Sequence, residues 1–235
     1  MNRNGIALFG WCLVAALVLA APSAFTQESA RAPVAQPALK DYPIVSERRL
    51  ELTRAYARQH YGVDSAELNA PRMVVVHYTA TSSLSGSLST FKTDVLAAAR
   101  TDIAGHGDVN VGVHYLIARD GTTYRLLPED VMGRHTIGFN WCALGIEMVA
   151  GTERDLSEAQ LASCAHLVAW IASRRSSIEF LIGHHEYMDR KLPHASLFLE
   201  KDSAYAPTVK TDPGAPFMRS LRALLAQRYK VALKD

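Results

Sequence analysis

Met73–Val74–Val75–Val76–His77–Tyr78–Thr79–Ala80–Thr81 is the stretch on which the reading of this chain turns. Its apolar start, with three consecutive valines, predicts a buried strand. The strand ends in a histidine and passes into a polar run. Phe180–Leu181–Ile182–Gly183–His184–His185 repeats the design a hundred residues later. Each stretch delivers an imidazole at the C-terminal end of a strand, which is where ligands gather in open sheets flanked by helices. A third stretch, Val209–Lys210–Thr211–Asp212–Pro213–Gly214, offers a carboxylate. Two imidazoles and one carboxylate leave a fourth position open on zinc, the catalytic rather than the structural pattern.

Working outward, the elements around these stretches alternate between strand and helix. Residues 111–119 and 122–127 read as two strands joined by Asp120–Gly121, predicting a hairpin with a type I′ turn. Residues 143–149 form another strand, with Leu144, Ile146 and Met148 on one face and Glu147 on the other beside Gly145. A lone acid in an apolar strand is costly to bury without a partner. Ser157 caps the next helix, Gln160 completes a capping box, and Leu161, Ala165, Val168 and Ala172 recur at helical spacing. Residues 88–100 read as a helix, 82–89 and 102–110 as loops, and Phe217, Leu221, Leu224 and Leu225 as a final helix starting near Pro216. A hairpin together with helical crossovers predicts a single α/β domain with a mixed central sheet flanked by helices.

The flanks are of a different kind. Arg3 followed by the apolar run 6–21 and small residues at Ala20, Ala21, Ser23 and Ala24 read as an export signal over residues 1–24. Residues 25–44, rich in Ala, Pro, Gln and Ser, read as a linker. Residues 45–69 read as a helical extension on the outside of the domain, capped by Ser46, and residues 70–230 as the domain itself. The chain has 235 residues, 49% of them hydrophobic and 20% charged, with a net charge of +2. That balance gives no electrostatic footprint for nucleic acid or for an anionic membrane. After signal cleavage no stable membrane association is expected. Cys142 and Cys164 would remain, either as a disulfide or as two small buried hydrophobes.

Taken together, His77, His184 and Asp212 make a coherent metal site. Zinc held by them lowers the pKa of bound water to about 7 and polarises a carbonyl. Glu147 is placed to move a proton from that water to a leaving amine. Lys210, two residues from Asp212 on an extended segment, is placed to stabilise a developing oxyanion. The chemistry is metal-assisted amide hydrolysis.

The segments VVVHYTAT, VHYLIARDGTTYRLL, RHTIGFNWCALGIEM, LIGHHE and KTDPGAPF resemble, in order, those of the zinc-dependent N-acetylmuramoyl-L-alanine amidase family, the amidase-2 type related to peptidoglycan-recognition proteins. The resemblance covers roughly residues 70–228. It implies that His77, His184 and Asp212 bind one zinc ion, that Glu147 and Lys210 are catalytic, and that His135 and Asn140 line the cleft around sugar and peptide. It implies a peptidoglycan or muropeptide substrate, cut between N-acetylmuramic acid and L-alanine; the export signal, separately, implies a protein that is periplasmic or secreted. Two features depart from the pattern. Val113 stands where phage relatives carry a catalytic tyrosine, which leaves the proton work to Glu147. A long insertion, residues 186–209, separates His184 from Asp212 and carries His194, Asp189 and Asp202 as further donors, with His185 just before it; the KTDPG match selects Asp212. His114 is assigned to packing or support. The rival reading is a peptidoglycan-binding module without catalysis; a zinc peptidase is disfavoured because no HExxH is present.

Overall fold

The computed structural model describes Met1 and residues 31–235. The expected export signal lies outside the described residues. Six strands form one mixed sheet in the order β1-β4-β3-β5-β2-β6. They are β1 (Leu39–Asp41), β2 (Met73–Tyr78), β3 (Tyr115–Ile117), β4 (Thr123–Arg125), β5 (Ala143–Met148) and β6 (Phe180–Gly183). Only β3 and β4 run antiparallel; β3, β5, β2 and β6 are parallel neighbours. The four principal helices are α1 (Glu47–Tyr61), α2 (Leu84–Lys92), α3 (Glu158–Arg174) and α4 (Ala215–Leu224).

The parallel core follows from composition. Met73, Val74, Val75 and Val76 are fully buried in β2, as are Leu144, Ile146 and Met148 in β5. Strands covered on both faces read as continuous apolar runs, and β2 does. α3 begins as its sequence demands: Ser157 Oγ accepts from Gln160 N–H at 3.1 Å while Gln160 Oε1 accepts from Ser157 N–H at 3.0 Å. Gln160 also donates to the carbonyls of Ile117 and Val149, tying the helix start to the sheet.

Several sequence expectations need correction. The β3–β4 connection is not type I′, because that turn needs positive φ at both central residues and only Gly121 has it, at 87°. Gly121 N–H bonds to Ala118 O and Ala118 N–H to Thr122 O, each at 2.9 Å, giving a three-residue loop with glycine in the left-handed position. The second helix runs from Leu84 to Lys92 rather than from residue 88 to 100. Ser83 caps it, and Leu84, Leu88 and Phe91 share one apolar cluster. It stops where Arg49 and Asn110 side chains take the carbonyls of Thr90, Phe91 and Thr93.

The stretch read as linker is partly structural. Residues 39–41 add an edge strand parallel to β4, Ile44 is buried, and Arg31 donates to the carbonyls of Ala172 and Ile178 near the end of α3. Nor is α1 an outside decoration. Tyr56, Ala57 and Tyr61 belong to the main core, and Arg49 is only 2% exposed. A helix with Arg and Glu along most of its length gives a narrow apolar stripe, so its burial is invisible until its partners are known. Cys142 and Cys164 are both buried and unpaired, as two small hydrophobes. Among the described residues no helix is long and apolar enough to cross a membrane.

Candidate metal centre and cleft

Three parallel neighbours deliver the site. His77 lies near the end of β2, Glu147 near the end of β5, and His184 directly follows β6. His77 and Glu147 are register partners, so the sheet itself sets imidazole beside carboxylate. Asp212 arrives from the segment before α4, with His185 N–H bonded to its carbonyl at 2.8 Å.

Nδ1 of His77 and Nδ1 of His184 are 3.0 Å apart, although the residues are 107 positions apart in sequence. Asp212 Oδ2 lies 3.1 Å from His184 Nδ1 and 3.3 Å from His77 Nδ1. This is the one group of three or more His, Cys, Asp or Glu able to hold a metal among the described residues. The donor set fits zinc. A tetrahedral ion with bonds of about 2.0–2.1 Å has ligand–ligand edges of roughly 3.3–3.4 Å, close to the triangle here. Two imidazole nitrogens and a carboxylate oxygen aimed at one point are mutually unfavourable acceptors unless a cation or proton sits between them. His185, His194, Asp189 and Asp202 do not join them.

Burial pushes His184 down to about 4, with His77 adding to the effect, so the ring is neutral and able to ligate at pH 7. Burial opposes ionisation of Asp212, but hydrogen bonds from His184 and His77 hold its carboxyl well below the usual range. Glu147 behaves in the opposite way. Burial pushes it up to about 7 and Asp212 adds to that, against the attraction of His77 and Arg100. Among the described residues no side chain hydrogen-bonds it. A carboxyl poised near neutrality in a cleft, with no hydrogen-bonding side chain, is a candidate acid–base group.

The cleft is about 420 Å³ and is lined by Tyr78, Phe91, Arg100, Glu147, Lys210, His77, His184 and Asp212, among others. Lys210 is half-buried on its wall. Val113 lies on the lining too, where it offers no proton. Arg100, paired with Asp102 at 2.9 Å, lies in a loop rather than at the end of the helix expected over residues 88–100, so the sequence did not aim it at the cleft.

The two residues expected to meet substrate are placed differently. His135 borders the cleft but its ring is used within the protein: Nδ1 is 3.2 Å from His77 Nε2 and Nε2 is 3.3 Å from Ala143 O. Burial and the neighbouring His77 and His114 rings hold it well below the usual imidazole range. Asn140 is 1% exposed. Its Oδ1 accepts from the N–H groups of His135 and Thr136 at 2.9 and 2.8 Å, and its Nδ2 donates to Tyr56 Oη. It pins the loop that carries His135. His114 is buried as a support, accepting from Gly145 N–H and donating to Val131 O, each at 2.9 Å.

The insertion is a packed wall beside this site. Trp141 donates to Leu197 O, Leu199 N–H bonds to Gly138 O, and Phe198 lies on Gly138, where a Cβ would come within 2.3 Å of its ring. Tyr187 Oη closes the neck of the insertion, donating to Thr208 O at 2.5 Å and accepting from Thr208 N–H at 2.7 Å. Tyr205 is buried between His60 and His106.

The family model described as N-acetylmuramoyl-L-alanine amidase matches residues 67–215. The chain belongs to the amidase-2 family. Peptidoglycan recognition protein 3 of Homo sapiens is 26% identical over 148 residues, covering 57% of this chain and 42% of that protein. The endolysin of Klebsiella phage KP32 is 27% identical over 97 residues, covering 39% of this chain and 64% of the endolysin. The chain thus spans less than two thirds of the length of these relatives. Among solved structures, an AmpD derivative is 25% identical with a TM-score of 0.47, covering 67% of this chain and 86% of that one. The endolysin amidase LysCS of Clostridium intestinale URNW is 26% identical with a TM-score of 0.40, covering 53% and 75%. Family membership supports amidase activity or peptidoglycan binding for this chain.

Proposed function

We propose that the protein is a zinc-dependent N-acetylmuramoyl-L-alanine amidase, exported to the periplasm or medium, that cleaves the bond between muramic acid and L-alanine in peptidoglycan or muropeptides. The observation that carries this reading is the meeting of His77, His184 and Asp212 at 3.0–3.3 Å beside a carboxyl, Glu147, that is raised to about 7. A binding module needs sugar and peptide contacts; it has no need of an uncompensated acid next to a metal triangle.

Zinc, when held by these three residues, supplies a Lewis acid that polarises the scissile carbonyl and acidifies water. The protein's own groups do the rest. Glu147 takes a proton on its carboxylate from the attacking water and returns it to the departing L-alanine nitrogen, which would otherwise leave as an unstable anion. Lys210 donates from its ammonium to the carbonyl oxygen as negative charge develops there. The apolar walls, Phe91 and Val113 among them, exclude bulk water and strengthen both interactions. The buried loop at Asn140 and the packed insertion hold the cleft in one shape, so little reorganisation accompanies reaction.

Mass spectrometry of purified peptidoglycan incubated with zinc-loaded and chelated protein tests the proposal. Metal-dependent release of intact stem peptides that begin with a free L-alanine amine is the expected product. No new product from either intact or pre-digested substrate, with zinc loading verified, would return the weight to the peptidoglycan-binding module that the recognition-protein relatives bring to mind.

A further inference from the structure

We infer that His135 is a positioning residue for the metal site, fixing the tautomer and orientation of His77 through a hydrogen-bonded chain to the backbone of β5. This inference rests on the zinc reading above and deepens it. His77 faces the metal triangle with Nδ1, so its remaining proton belongs on Nε2. That proton needs an acceptor. Two atoms are in reach, His135 Nδ1 at 3.2 Å and Thr136 Oγ1 at 3.5 Å. His135 Nδ1 can accept only if its own proton is on Nε2, and Nε2 faces Ala143 O, a group that can only accept, at 3.3 Å. The chain therefore has one consistent direction: His135 Nε2–H to Ala143 O, His77 Nε2–H to His135 Nδ1, and the His77 Nδ1 lone pair to the metal. Thr136 Oγ1 also lies 2.9 Å from His135 Nδ1, but that nitrogen has a single lone pair, which the His77 Nε2–H takes in this arrangement.

The seat of the ring is built for this. At Gly145, a Cβ would lie 2.9–3.0 Å from three atoms of the His135 imidazole. The glycine has no positive φ, so its lack of a side chain here serves the close approach of the ring. Behind the ring, Asn140 holds the backbone N–H groups of His135 and Thr136 and is itself anchored on Tyr56 of α1. The helix that reads as an extension thus supports the loop that orients a metal ligand. Partners of this kind typically account for 10–100-fold in metal affinity.

The test is zinc affinity of the full chain, measured by competition with a chromophoric chelator of known affinity, for the wild type, His135→Phe, His135→Asn and Gly145→Ala. His135→Phe keeps the ring and removes the acceptor; zinc binding is expected to weaken about 10–100-fold. His135→Asn places an amide oxygen near the Nδ1 position and should recover most of that loss. Gly145→Ala leaves every polar group in place but displaces the ring, and should weaken zinc measurably. It also serves if His135→Phe does not fold, which thermal melts by circular dichroism would reveal. Nitrogen-15 imidazole spectra of the zinc form should show His77 protonated on Nε2. If His135→Phe and Gly145→Ala bind zinc as the wild type does, while KM alone rises, His135 is a substrate contact and the inference is wrong. If the wild type itself binds no zinc, the functional proposal fails first and takes this inference with it.

Discussion

Glu147 on β5 and Glu129 in the loop after β4 are two mostly buried carboxyls, and their surroundings are opposite. Glu129 accepts from Tyr115 Oη at 2.5 Å and from Arg175 Nε at 2.5 Å, and it pairs with Arg174 as well. Burial alone would raise it, but the tyrosine and the two guanidiniums hold it below the ordinary range. Glu147 accepts no side-chain hydrogen bond among the described residues; burial raises it to about 7 against the weaker attraction of His77 and Arg100. Glu129 borders the larger cleft, about 660 Å³, and Glu147 the one of about 420 Å³. Cavity size does not distinguish the proposed reactive site from the other cleft. Compensation of charge does: Glu129 has partners for its charge, and Glu147, without a hydrogen-bonding partner, fits the acid–base role proposed for it.

That contrast is open to direct attack. Removing zinc with a chelator should abolish hydrolysis and restore it on zinc addition, followed by release of stem peptides; activity surviving verified metal removal would break the contrast outright. Glu147→Gln should lower kcat by about 10²–10⁴-fold while leaving the melting temperature unchanged or higher, because it removes the cost of a buried, unpaired acid. Glu129→Ala should do the reverse. It strips two arginines of their partner, and because both arginines are partly exposed the expected loss is about 2 kcal/mol in stability, read by urea denaturation, with activity per folded molecule retained.

The pH dependence of the metal-free protein should show the two carboxyls with opposite signs. For Glu147 the folded value, about 7, lies above the ordinary 4.5. Its contribution to stability is present in full below pH 4.5 and is lost as pH rises toward 7, a change on the order of 3 kcal/mol. For Glu129 the folded value is below 4.5, so its contribution is present above that pH and fades as pH falls. Stability curves of Glu147→Gln and Glu129→Gln against the wild type separate the two. The smallest effect is at the seat of the insertion. Gly138 has φ of 81° and the Phe198 ring against it. Gly138→Ala should cost about 1–2 kcal/mol and raise KM modestly, since it pushes the insertion off its seat; unchanged melting would mean that the insertion is not a fixed wall.

Much of the site was legible because its carriers are local. An apolar run ending in histidine is a strand that presents an imidazole, and alternation in β5 puts Glu147 opposite Leu144, Ile146 and Met148 without reference to anything distant. The capping box at Ser157 is local too. The roles of His135 and Asn140 were not legible. Both follow from which atoms lie across from them, and those atoms belong to β2, β5 and α1. Arg49 and Arg134 show the same limit. Arg134 donates to the carbonyls of Ile103, His106, Gly107 and Val109 and so organises a loop whose own residues carry no periodic signal.

The sequence by itself determined strands β2 to β6, the faces they present, and the residue types that make a zinc site chemically sensible, since side-chain period and donor chemistry depend only on near neighbours. Tertiary structure alone decided that residues 77, 184 and 212 converge to about 3 Å, that Glu147 is left without a partner while Glu129 is not, and that residues 31–61 belong to the fold. Those outcomes are set by which surfaces pack against one another, and packing joins residues that the chain order keeps far apart.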